Sequence, residues 1–168
     1  MYWKYFKYVV EHKKNVFIEC WKEGLYLHAL THDLSKFHPK EFFAYARWFY
    51  GEFGTNIDTR CCSVLGLTLN EQYKEDFDKA WQHHKDYNKH HWNYWHEKNE
   101  PMPSKYIRQM VCDWRAMSRK FGGTAKEYYL KNCNEIKLNK CSRKYLEKIL
   151  SGIVPVENKN VSHGGIKK

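Results

Sequence analysis

The sequence lacks what several protein classes require. Its longest apolar runs are only a few residues, far below the ~20 that cross a bilayer. The N-terminal stretch beginning Met1-Tyr2-Trp3-Lys4-Tyr5-Phe6 has neither an apolar signal core nor a small-residue cleavage site. A soluble, cytoplasmic protein with no membrane partner is expected. The six cysteines (Cys20, Cys61, Cys62, Cys112, Cys133, Cys141) include no Cys-x-x-Cys pair, which points to reduced, mostly structural thiols rather than a disulfide framework. No internal repeat is visible, and no alternating segment is long enough to be a useful strand, so the fold class reads as all-α. Acidic residues are in deficit as well, 19 Asp and Glu against 29 Lys and Arg, a net charge of +10. That balance concentrates anions at the surface, so phosphorylated small molecules, nucleotides and nucleic acid are the favoured partners. Because the charge is spread along the chain rather than blocked, a plain solvated basic surface fits it equally well.

What the sequence does hold is aromatic mass. Hydrophobic residues make up 42% and aromatics 17% of 168 residues, enough for one folded core and too apolar for a disordered chain. The spacing predicts a first helix from Tyr2 to Glu23, stopped by Gly24, and a second from Leu25 to Phe37, ended by Pro39. A third runs from Lys40 to Tyr50, its Phe42, Phe43, Tyr45, Ala46 and Phe49 reading as packing. Gly51 to Leu69 reads as a long surface connection of the kind that borders sites. Asn70 reads as the cap of a fourth helix running to about Lys98. Ser104 caps a fifth through Phe121, closed by Gly122-Gly123, and two more are expected at Thr124 to Asn132 and Ser142 to Leu150. The expected architecture is a single-domain bundle of six or seven helices over residues 1–152, followed by a disordered polar tail, 153–168.

Ten histidines are many for this length, and their positions say more than their number. Phe77, Trp81, His84, Asn88, His91 and Trp95 recur every three or four residues and form one stripe on the fourth helix. A stripe bounded by Phe and Trp faces the core, which turns His84, Asn88 and His91 inward. Burying those polar groups costs several kcal/mol unless they are paired or coordinated. On the second helix His28 and His32 lie one turn apart, Asp33 adjoins His32, and Leu30, Leu34 and Phe37 make the setting of that carboxylate apolar. Imidazole and carboxylate donors drawn from separate helices suit divalent first-row metals in the interior of a helical fold.

In chain order the set reads His12, His32-Asp33, His84, His90-His91, Asp113, and the HD pair continues as Leu34-Ser35-Lys36-Phe37. With His12-Lys13-Lys14-Asn15-Val16, Ala80-Trp81-Gln82-His83-His84 and His90-His91-Trp92-Asn93-Tyr94-Trp95, the sequence resembles the HD-domain superfamily of metal-dependent phosphohydrolases, closest to small HD-type proteins of bacteria and their phages. The likeness covers His12 to Asp113 and implies an all-helical fold with an interior metal site. It also implies hydrolysis of a phosphate ester of a nucleotide or signalling nucleotide, cyclic ones included. His12, His32, Asp33 and Asp113 would form the mononuclear set, and His84 with His91 or His90 would add a second metal. The implied cofactors are one or two divalent ions, Mn, Fe, Co, Ni or Zn, with Mg as an alternative. Family order leaves His83 against His84, and His90 against His91, open. The stripe favours His84 and His91 as ligands and leaves His28, His83, Asn88 and His90 as supporting or substrate-facing groups.

The sequence departs from the superfamily's cyclic-dinucleotide hydrolases, with Ser35 where they carry glycine and no Gly-Tyr-Pro tripeptide, so no substrate carries over. Asp33 and Lys36 are the catalytic candidates, Lys36 as a contact to a nonbridging phosphoryl oxygen. Arg108 and Arg115 flank Asp113 such that at most one faces the site, and Arg115 is the one retained. Trp81, Trp92, Tyr94, Trp95, Tyr45 and Trp48 suit either base stacking or the core. Two other function classes fit the same residues: a di-iron oxygenase of HD type, and a non-enzymatic basic module binding nucleotides or nucleic acid.

Overall fold

The computed structural model of the chain describes residues 1–51 and 64–150, with side chains from residue 71 onward in the second stretch. The described residues form eight α-helices and one short 3-10 helix, with no strand among them. These are α1 (Tyr2–Lys22), α2 (Tyr26–Thr31), the 3-10 turn Leu34–Phe37, α3 (Pro39–Tyr50), α4 (Val64–Tyr87), α5 (Trp92–Glu97), α6 (Ser104–Phe121), α7 (Ala125–Asn132) and α8 (Lys140–Ile149). The all-α expectation holds, with more and shorter helices than the spacing suggests. No described helix is long and apolar enough to cross a membrane. The 153–168 tail, Cys61, Cys62 and most of the expected Gly51 to Leu69 connection lie outside the described residues.

Local chemistry sets most boundaries. Pro39 opens α3 in a first-turn position that needs no amide donor, and His38 Nδ1 accepts from the Lys40 amide as its cap. Thr124 caps α7 in a reciprocal box with Glu127. Several boundaries differ from the sequence reading. The fourth helix begins at Val64, ahead of Asn70, and Pro103 rather than Ser104 is the N-cap residue of α6. The expected second and fourth helices are each split in two. The second breaks at His32-Asp33, where Asp33 takes a left-handed backbone with φ 53°. The fourth stops at Tyr87 and resumes at Trp92, leaving Asn88 to His91 as a bend.

α1 is the central strut, packing on α2, α3 and α6, while α3 packs on α4 and α6 on α7 and α8. Three apolar clusters hold the bundle. Tyr5, Val9, Ala44, Tyr45 and Ala80 join α1, α3 and α4; Val16, Cys20, Ala29, Cys112 and Ala116 join α1, α2 and α6; Trp95, Ile107, Met110, Trp114, Tyr129 and Leu146 close α5 to α8. Each fully buried aliphatic side chain contributes about 1.5–3 kcal/mol relative to exposure. Cys20 and Cys112 are buried, free thiols, as the absence of any Cys-x-x-Cys pair suggests. Leu30, Leu34 and Phe37 are exposed, so Asp33 is buried by polar and ring neighbours rather than by those three.

Candidate metal centre

The two helix breaks are what build the site. Because α2 ends at Thr31 and the chain turns through a left-handed Asp33, the His32 and Asp33 side chains both enter the interior. A continuous helix would send adjacent residues about 100° apart. The bend after α4 acts in the same way on His90 and His91, whose rings lie 4.2 Å apart centre to centre. His12 comes from the inner face of α1, His84 from α4 and Asp113 from α6.

Asp33 is 3% exposed, and its two oxygens face different donors. Oδ2 lies 3.2 Å from His32 Nε2 and 3.7 Å from His12 Nε2; Oδ1 lies 3.5 Å from His90 Nε2 and 3.6 Å from His84 Nε2. Asp113 Oδ1 completes the first side, 3.1 Å from His12 Nε2 and 3.7 Å from His32 Nε2. His91 Nε2 completes the second, 2.9 Å from His84 Nε2. Donor spacings of this size are the edges of a coordination polyhedron, ~3.0 Å for an octahedron and ~3.4 Å for a tetrahedron with bonds of ~2.1 Å. The cluster could therefore hold a metal ion, with Asp33, His84, His90 and His91 as one group of converging donors and His12, His32 and Asp33 as another.

The unsatisfied atoms point the same way. Among the described residues Asp33 Oδ1, His90 Nε2 and Asp113 Oδ1 are buried without a hydrogen bond, an expensive state unless a cation sits among them. Burial pushes the Asp33 carboxyl up, but His32, Lys36 and His84 outweigh it and hold it well below the usual range. Asp113 is likewise held down, against burial, by its contact with His12. Burial, with His84 beside it, pushes His91 down to about 3, and burial with His91 and His32 pushes His90 well down. Those rings are thus neutral near pH 7, the form that coordinates.

A second layer fixes the rings. Glu41, fully buried on α3, accepts from His84 Nδ1 at 2.8 Å, from His83 Nδ1 at 2.7 Å and from Ser35 Oγ at 3.0 Å. With Nδ1–H so engaged, His84 turns its Nε2 lone pair to the cluster. His32 Nδ1 pairs with His28 Nε2 at 3.2 Å, which leaves His32 Nε2 facing His12 and Asp33, and Asn88 donates to Ser35 Oγ and to the His84 carbonyl. His83 and Asn88 accordingly sit behind the donors, whereas His28 converges with His32 and His90 as a third group that could hold an ion. Nor is His90 a supporting group: its Nε2 joins the donors directly, because the bend replaces the helical stripe that would have turned it away. Arg115 also departs from expectation, since it pairs with Glu23 at the end of α1, as Arg108 does. Sequence reasoning missed Glu41 and Ser35. Glu41 had a signal, since it shares a helical face with Ala44 and Tyr45.

Lys36 Nζ lies 2.6 Å from Asp33 Oδ2, and Asp33 and Asp113 raise its pKa above the usual value despite burial. Beside it a cleft of about 760 Å³ opens from His12, Lys36, His91 and Asp113 to Trp81, Trp92, Trp114 and Tyr128.

Residues 1–154 match the model described as Family of unknown function (DUF5662). The chain belongs to that family. No curated protein matches it, and no solved structure does. In this DUF5662 chain the matched span takes in every donor named above, as well as the cleft that reaches them.

Proposed function

We propose that this DUF5662 chain is a metal-dependent phosphohydrolase of HD type that hydrolyses a phosphate ester of a nucleotide by water attack. One observation carries the reading: Asp33 presents its two oxygens to two separate sets of buried imidazole donors, so its carboxylate could serve divalent ions held by either set. The proposed sets are His12, His32, Asp33 and Asp113 on one side and Asp33, His84, His90 and His91 on the other. Divalent ions, if held by these residues, would supply an activated water near neutral pH and would neutralise charge on phosphoryl oxygens.

The chain's own residues do the rest. Lys36 lines the cleft beside the donors, and its ammonium bonds a nonbridging oxygen and stabilises charge developing there. Glu41 and His28 keep the His84 and His32 rings aimed at the centre. Trp81, Trp92, Trp114 and Tyr128 line the far part of the cleft and offer flat faces to a base, and Lys131 adds a cation at its rim.

Elemental analysis of the purified protein tests the reading when coupled to phosphate-release assays over nucleotides, dinucleotides and cyclic nucleotides with Mn, Co, Ni, Fe, Zn and Mg. Between one and two transition-metal equivalents and metal-dependent phosphate release are expected. Less than about a tenth of an equivalent, persisting after metal is added to chelated protein, sinks it. Iron with oxygen consumption and no phosphate release would move the assignment to a di-iron oxygenase. Lys36→Ala is expected to slow turnover by about 10- to 1000-fold with metal content unchanged; activity within about twofold of the parent removes Lys36 from the mechanism.

A further inference from the structure

Away from the metal centre the most unusual surface is the outer flank of α1 and the corner it shares with α2. Trp3, Phe6, Val10, Phe17 and Trp21 recur along one flank of α1, while Tyr5, Val9, His12 and Val16 face the core. Trp3 and Phe6 stack at 5.4 Å, Phe6 meets Phe37 at 6.2 Å, and Trp21 meets Tyr26 at 4.7 Å. These contacts tie the flank to α2 and the 3-10 turn. Lys13 reaches across to the Leu30 carbonyl and closes the middle.

The residues along this face stand out into solvent. Leu27 is 76% exposed, Trp3 64%, Leu30 58%, Tyr26 54%, Trp21 52% and Leu34 51%. Phe6, Val10 and Phe37 add further exposed apolar side chains to this face, and apolar surface gathered in this way marks an interaction site. Its α1 edge carries Lys4, Lys7 and Lys14, exposed lysines that make no ion pair among the described residues; Lys7 lies over the Trp3 ring. The one acidic side chain near them on α1, Glu11, is paired to Lys120.

We propose that this face docks on an anionic lipid bilayer, with Trp3, Leu27, Leu30 and Leu34 entering the headgroup boundary and Lys4, Lys7 and Lys14 meeting lipid phosphates. Charge decides among occupants. A second copy would set like-charged lysine edges against each other on chains already at +10, whereas an anionic surface neutralises them. Tryptophan and tyrosine at both ends of the stripe suit the boundary between headgroups and chains. The lack of a long apolar run excludes a span, not docking of this kind, so the expectation of no membrane partner is narrowed to no membrane span.

The test is co-sedimentation of the full chain with vesicles of phosphatidylcholine alone and of phosphatidylcholine containing phosphatidylglycerol, alongside light scattering of the free protein. Binding to the phosphatidylglycerol vesicles is expected, at least about tenfold tighter than to phosphatidylcholine alone and weakened by salt. Leu27→Glu with Leu30→Glu, and separately Lys7→Glu with Lys14→Glu, should each cut it about tenfold or more while far-ultraviolet circular dichroism and metal content stay as in the parent. All four side chains are solvent-facing, so the variants test the surface and not the fold. Absence of vesicle binding overturns the proposal, as does binding that both double variants retain. A stable dimer of the free protein, dispersed by Leu27→Glu with Leu30→Glu, overturns it in favour of a second copy.

Discussion

Asp33 carries more of the site than any other residue, and its partners determine what its removal does. In the metal-free chain its carboxylate neutralises Lys36 at 2.6 Å and bonds the His32 ring. Asp33→Ala leaves that lysine, 17% exposed at its side chain, without a counter-charge. Metal-free stability is expected to fall by about 1–3 kcal/mol in urea unfolding. The same variant should also lose at least one metal equivalent by elemental analysis. A variant with full metal content would remove Asp33 from the centre.

The histidines set a second expectation at this scale, for chelated protein. His28 is pushed down to about 4, by burial first and His32 second, from an ordinary 6.5; His91 goes down to about 3, and His90 falls with it. A histidine lowered by folding binds its proton more readily in the unfolded chain. Stability is therefore complete above about pH 6.5 and is lost as pH falls from there toward the folded values. The slope reaches ~1.4 kcal/mol per pH unit for each such ring. Glu41 is depressed from 4.5 because its bonds to His84 and His83 outweigh burial, and its loss begins only near that lower pH. Urea midpoints of chelated protein that stay flat from pH 7 to about pH 5 would contradict the histidine assignment.

At the scale of elements, α3 and α4 form the support of one side of the centre. Glu41 reaches from α3 to His83 and His84 on α4, so its removal should loosen the Asp33, His84, His90, His91 side and leave His12, His32 and Asp113 in place. Glu41→Gln, which keeps the shape, is expected to weaken one metal equivalent about 10- to 100-fold and spare the other. Equal weakening of both equivalents in a metal titration would show that the two sides are not separately supported. Elements also explain what could be read from the sequence. α1, α3, α6 and α7 follow from spacing and stop signals, and of the donors His12 lies on α1 and Asp113 on α6. The breaks at Asp33 and at Asn88 to His91 were not legible, because helical periodicity runs through both and a left-handed aspartate carries no glycine-like signature. That is why His90 reads from sequence as a supporting group and is found among the donors; Arg115 on α6 instead pairs with Glu23 at the end of α1.

For the whole molecule, the donors come from α1, the α2 break, α4, the following bend and α6, and of these α4 and α6 share no apolar cluster. An ion bound among them ties together parts of the bundle that otherwise meet through separate cores. Because the unfolded chain offers no preformed set, binding energy appears as folding energy. At a free metal concentration about 100 times the dissociation constant, each ion adds ~2.7 kcal/mol, or roughly 5–10 °C in Tm for a chain of this size. Two ions of unequal affinity should raise Tm in two stages as metal is added to chelated protein, and Asp33→Ala should abolish at least one of them. If the cluster were only a polar core held by its own hydrogen bonds, chelator and added metal would leave Tm within about 1 °C, and the orphaned Asp33, His90 and Asp113 atoms would have to be satisfied by water alone. Differential scanning calorimetry across a manganese titration separates the two outcomes.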